Sequence, residues 1–144
     1  MPQRPVRSII ESQTPVTAAA DVSVADAARL MQQHRVGALV IVDRGRLTGI
    51  FTERDALYRV IAEGRNSRAT RVVELMTPEP QTISPDRPFG HALHMMFEGG
   101  FRHVPVIDGG RPLGVVSARD ALGSELREFV SNLESRERIG EILG

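Results

Sequence analysis

The run Gly49-Ile50-Phe51-Thr52-Glu53-Arg54-Asp55 returns 65 residues later as Gly114-Val115-Val116-Ser117-Ala118-Arg119-Asp120. The same spacing, without insertion, matches Thr17 with Thr82, Asp21 with Asp86, Ala27 with Ala92, Met31 with Met96 and Asp43 with Asp108. A register held from about residue 14 to 57, and again from 79 to 122, implies one structural unit built twice. A lone unit of about 45 residues is near the size at which a domain struggles to bury enough surface, so the halves are expected to pack together. A symmetric cleft between them is the first place to look for function.

The spacing of apolar residues places the elements. Val6 to Ser12 reads as a short helix, and Val16-Thr17-Ala18 as an extended piece. Ser23-Val24-Ala25-Asp26 opens a helix that ends near His34-Arg35, with Val24, Ala27, Ala28 and Met31 as its apolar stripe. Ala38 to Val42 is a buried strand, the turn Asp43 to Arg46 follows, and Leu47 to Phe51 returns as its hairpin partner. Thr52 opens a helix running to about Glu63. Each unit thus reads strand–helix–strand–strand–helix. Residues 6–63 form the first unit, 64–71 a linker, 72–122 the second unit and 123–144 a helical tail. Val72 to Met76 reads as one helical turn repeating the role of the N-terminal helix. In the tail, Leu122, Leu126, Phe129, Val130 and Leu133 share a face that is expected to dock on the body or on a partner.

Thr52-x-x-Asp55 and Ser117-x-x-Asp120 are first of all helix N-caps with a capping box, and one copy alone would say little. Duplication and context raise a functional reading. A glycine precedes each cap by three positions and admits a close approach to the backbone. A helix N-terminus favours a phosphate, the Asp can accept hydrogen bonds from ribose hydroxyls, and Arg54 or Arg119 can reach the anion.

These residues, with Arg102-His103-Val104-Pro105-Val106-Ile107-Asp108 and Pro80-Gln81-Thr82-Ile83-Ser84-Pro85-Asp86, resemble the cystathionine-β-synthase (CBS) domain, paired as a Bateman module. The run from Gly49 to Asp55 is similar to that of small stand-alone two-CBS proteins of bacteria. The resemblance covers residues 6 to 122 and implies an α/β (α+β) fold: two tandem βαββα repeats packed sheet to sheet about a pseudo-two-fold axis, leaving two clefts. It implies an adenosine-containing ligand: AMP, ADP, ATP, NAD or S-adenosylmethionine. By position, Asp55 and Asp120 would hold ribose hydroxyls, and Thr52 and Ser117 would contact phosphate. Thr17 and Thr82, with Gly37-Ala38 and Arg102-His103, would border the adenine and phosphate regions, the second strand continuing through Val104 and Pro105. Because Gly37-Ala38 stands where the second unit has Arg102-His103, the first cleft is expected to be poorer in phosphate partners. The family also implies a homodimer.

Composition narrows the alternatives. All 18 basic side chains are Arg, balanced by 18 acids, so neither a nucleic-acid footprint nor a lysine-based phosphate clamp is expected. There is no Cys, and the longest apolar run, Gly37 to Val42, is too short to span a membrane. A secretory signal is not expected, and a cytoplasmic address fits. His91 and His94 are a poor metal set, and a solvated helix face is the expected reading; no metal is expected. His103 is open between a buried strand histidine and a ligand contact. Arg65, Arg68 and Arg71 read as a solvated linker, and Met95-Met96-Phe97 as core. No catalytic constellation is present, so the expectation is a non-enzymatic binding module. The alternative is a ligand-free adaptor for dimerisation or for docking to a partner enzyme or transporter.

Overall fold

The structure, a computed structural model, describes residues 3–143 and the side chains of residues 3–136. Strand β1 (Thr17–Ala18) lies parallel to β2 (Ala38–Asp43), which forms an antiparallel hairpin with β3 (Arg46–Thr52); β4 (Thr77–Pro78) completes this four-stranded sheet. Strands β5 (His103–Asp108) and β6 (Arg111–Ser117) form the second hairpin. The duplication reaches down to hydrogen-bond register. Ala38 pairs with Thr52 as His103 pairs with Ser117, and each hairpin slips register at the equivalent place, after Ile41 and after Val106. The pairing of Ala18 with Ile41 has its mate in the bridge from Ile83 to Val106.

Helix α2 (Val24–His34) starts at Ser23, whose hydroxyl accepts the Asp26 N–H at 3.1 Å, and stops at Arg35 in the left-handed region (φ 54°). Its mate α4 (Phe89–Gly99) starts after Pro88 and stops at Gly100 (φ 71°). Each helix covers its own hairpin, and two apolar clusters result. One joins Val24, Ala27 and Met31 to Leu39, Ile41 and Phe51; the other joins Phe89, Ala92 and Met96 to Val104, Val106 and Val116.

The segments preceding the units are exchanged crosswise. Helix α1 (Val6–Ile10) puts Val6 and Ile10 into the core of the second unit, whereas Val72, on the 3₁₀ turn Val72–Glu74, and Leu75, just after it, enter the core of the first. This crossing explains the motif glycines. A Cβ on Gly49 would lie 2.5 Å from Met76 Sδ, and one on Gly114 would lie 2.9 Å from Ile10 Cβ. What makes the close approach to the backbone there is the incoming segment of the chain.

The two units diverge after the caps. Following Thr52, α3 (Glu53–Asp55) runs on as a π-helix over Ala56–Ile61, the Ala62 N–H donating to the Leu57 carbonyl at 2.9 Å. Following Ser117 there is a single 3₁₀ turn, Ala118–Asp120; Ala121 is extended (ψ 132°), so the expected second-unit helix is replaced by one turn and a restart. Gly123-Ser124-Glu125 provides that restart, with Glu125 Oε1 accepting the Leu122 N–H at 2.9 Å, and α5 (Gly123–Leu143) begins.

Helix α5 docks on α4 through Phe129, whose ring centroid lies 4.9 Å from that of His94 and 5.8 Å from that of Phe97. His94 is therefore not on a solvated face. Its Nδ1 is buried without a hydrogen-bond partner among the described residues, and burial, then Arg136, push it below the usual imidazole range. Phe97, expected in the core, is 61% exposed, because α5 covers only one edge of its ring. Leu122, Leu126 and Val130 stay about half exposed, so the tail's apolar face is split. Leu133, the last residue of that face, is half-buried.

Candidate functional site

Two cavities open along the seam between the units. The first, of about 1310 Å³, is lined from the first unit by Thr14, Val16, Gly37 and Ala38, and from the second by Ser117, Arg119 and Asp120. The second, of about 640 Å³, is lined by Thr52, Arg54 and Asp55 together with Glu79, Gln81 and Phe101. The linings correspond: Val16, Val36 and Asp120 in one are the repeat mates of Gln81, Phe101 and Asp55 in the other. We call them the Asp120 cleft and the Asp55 cleft.

Capping holds each carboxylate in place. Asp55 Oδ2 accepts the Thr52 N–H at 2.9 Å and the Thr52 hydroxyl at 3.1 Å, while Arg59 Nε stands 3.7 Å from Oδ1. Asp120 Oδ2 accepts the Ser117 N–H at 2.8 Å. In both cases the backbone takes Oδ2, and Oδ1 makes no hydrogen bond among the described residues. A fixed carboxylate oxygen of this kind on a cavity wall suits a neutral hydroxyl donor. With only one 3₁₀ turn behind Ser117, the helix-dipole contribution there is small, contrary to what two equal helices would supply.

Three corrections to the sequence reading follow. Thr17 and Thr82 line neither cavity; strand alternation turns Thr17 away from Val16 and Ala18, and the cavity walls carry Val16 and Gln81 instead. Val104 and Pro105 lie fully within the core; what Pro105 offers is its carbonyl, which accepts the Ile83 N–H at 3.0 Å. The predicted shortage of cations in one cleft is absent, because Arg102 lines both, with His103 beside it, and Arg35 and Arg119 line the Asp120 cleft as well. Single-unit alignment could not show this, since it assigns each residue to one repeat.

Glu53 and Leu57 also line both cavities. Sequence reasoning passed over Glu53 as a mid-motif position, although its mate Ala118 was a visible departure from the repeat. Glu53 Oε1 and His103 Nε2 converge above Gly37, at 2.9 and 3.3 Å from where a Cβ would stand. Gly37 is what leaves room for both. Burial pushes His103 below the usual imidazole range; Glu53 opposes that shift, and Arg102 adds to it. Among the described residues no group of three or more His, Asp or Glu is arranged to hold a metal ion, and no helix is long and apolar enough to cross a membrane.

A family model for the CBS domain matches residues 6–62 and 72–126. The chain is 39% identical over 119 residues to the mitochondrial CBS domain-containing protein CBSX3 of Arabidopsis thaliana, which covers 79% of this chain but only 58% of that relative. A protein with CBS domains from Burkholderia ambifaria superposes with a TM-score of 0.76 at 35% identity, over 81% of this chain and 90% of that one. The CBS domain pair of protein MJ0100, solved with 5'-methylthioadenosine and S-adenosyl-L-methionine, superposes with a TM-score of 0.73 at 29% identity, over 94% of this chain and 99% of that one. With the repeat, its register and its seam in agreement, the chain belongs to the CBS-domain family, as a pair of CBS domains.

Proposed function

We propose that this CBS pair is a non-catalytic regulatory module that binds an adenosine-containing ligand (AMP, ADP, ATP, NAD or S-adenosylmethionine) in its two clefts. The observation that carries the reading is the twin placement of Asp55 and Asp120, each fixed by its own cap on the wall of its own cavity. The ligands of the MJ0100 pair, both adenosine compounds, support the class. The ribose hydroxyls go to Oδ1 of each carboxylate, the oxygen that its cap does not use. Thr52, Arg54, Ser117 and Arg119 stand beside them for the phosphate. Binding shifts the chain between states by its differential affinity for them. No catalytic step is assigned, and the cysteine-free composition suits a cytoplasmic site of action.

A thermal-shift panel of these five ligands tests the reading. A ligand that binds only the folded chain at about 100 times its dissociation constant stabilises by about 2.7 kcal/mol, a displacement of several degrees. No shift with any of them would remove the sensor reading.

The second reading is a ligand-free adaptor, with the homodimer included. The half-exposed row Leu122, Leu126 and Val130, spaced four residues apart, favours it. It expects removal of residues 124–144 to change the oligomeric state, with nucleotides having no effect.

A further inference from the structure

A faithful duplication would give the wall between the clefts two of every group. This wall has one. Arg102 and His103 stand opposite the uncharged mates Gly37 and Ala38, and Glu53 stands opposite Ala118. Among the described residues, Arg102, His103, Glu53 and Leu57 are the side chains that line both cavities. The cations belonging to one cleft, Arg119 and Arg35 on one side and Arg54 on the other, are exposed, as is Arg102 itself. The Arg54 guanidinium already donates to the Gly100 carbonyl at 3.3 Å. His103 is half-buried, so its response to a neighbouring charge is screened less than that of the rim arginines.

We infer that the two clefts are coupled negatively for anionic ligands, because a phosphate in either one draws on the single Arg102–His103 set that both share. The inference rests on the nucleotide reading above and specifies its regulation. A nucleoside monophosphate brings a charge of about −1.5 to −2 at neutral pH. Once the first has turned Arg102 toward itself, the second meets Glu53 and a spent guanidinium. An uncharged nucleoside makes no such demand and fills both clefts without the penalty. The module thereby reports low and high concentrations of a charged nucleotide as two separate steps.

Titration calorimetry with AMP and with adenosine tests this on the full chain. For AMP the second step is expected to be weaker than the first by about tenfold beyond the statistical factor, the size of an ordinary coupling; for adenosine the steps should be statistical. Asp55→Ala and Asp120→Ala each leave one working cleft, and both should bind AMP more tightly than the wild-type second step, the weaker of them by about tenfold. Asp55→Asn and Asp120→Asn, which keep an acceptor for the cap, serve if the alanine variants fail to fold. A weaker variant whose affinity equals that of the wild-type second step would mean that the two steps reflect only intrinsically different clefts, and would overturn the coupling. So would two equal, independent AMP steps, or an adenosine ratio equal to that of AMP. Those outcomes leave the nucleotide reading standing, whereas absence of binding by both probes overturns the two together.

Discussion

The Asp120 cleft and the Asp55 cleft are built from equivalent positions, yet one encloses about 1310 Å³ and the other about 640 Å³. Backbone register does not account for this, since the hairpins pair and slip alike. Side chains do. Where the larger cleft has Val36, the smaller has Phe101, while Arg102 and His103 stand in both; where the chain after Ser117 reaches Gly123, the π-helix after Thr52 presents Tyr58. Duplication fixed the frame, and substitution on one wall made two different sites of it.

The largest expected effect tests whether the halves contribute equally to stability. Phe51 and its mate Val116 are both fully buried. Phe51→Ala should cost about 3–5 kcal/mol. Val116→Ala should cost roughly half as much, from two methyl groups at about 0.8 kcal/mol each plus a small cavity. Denaturant midpoints compare them directly, and equal losses would mean that the cores are not the separate clusters described.

Removing one carboxylate should affect one cleft. Asp55→Ala or Asp120→Ala should weaken AMP in its own cleft by about 10–100-fold, the worth of one or two hydrogen bonds to a charged group, and should leave one binding event per chain. Calorimetric stoichiometry decides. Loss of both events from either change would show that the clefts do not hold ligand separately.

The fastenings of the two turns should differ from surface ion pairs. Arg4 donates to the Asp120 carbonyl at 2.7 Å and to Glu125 at 2.7 Å, and Arg59 donates to the Leu75 carbonyl at 2.7 Å. Arg4→Ala should cost about 1–2 kcal/mol, with some of the loss appearing as detachment of α5. Arg136→Ala, which breaks the exposed contact with Glu98 at 2.9 Å, should cost less than about 0.5 kcal/mol.

The smallest effect is pH dependence. His103 and His94 are both held below their ordinary value of 6.5, so the unfolded chain takes up protons that the folded chain refuses. Stability should therefore fall as pH drops through 6.5, and His103→Gln should flatten part of that fall, leaving the share of His94. Its mate Ala38 has no such group. An unchanged profile in His103→Gln would show that the wall histidine is not desolvated.

The fold was legible because the evidence was repeated. Capping boxes, hairpin turns and the aliphatic run Ala38 to Val42 are local signals, and a second copy of each removed most of the ambiguity. The crosswise exchange of α1 with the 3₁₀ turn was not legible, since nothing within Val6 to Ile10 says which hairpin it covers. The break after Asp120 was present in Gly123-Ser124-Glu125, a fresh helix start, but was outweighed by the match of Ala121-Leu122 to Ala56-Leu57. Glu53 and the sharing of Arg102 and His103 needed the third dimension. A wall between two units belongs to neither sequence repeat.

Equilibrium dialysis of labelled AMP against the wild-type chain and the Asp55→Ala/Asp120→Ala double variant is the most direct measurement of whether the seam clefts hold nucleotide. The account predicts saturation near two per wild-type chain, in two unequal steps, and loss of binding in a double variant that remains folded. Undiminished binding by that double variant, or none by the wild type, would contradict it.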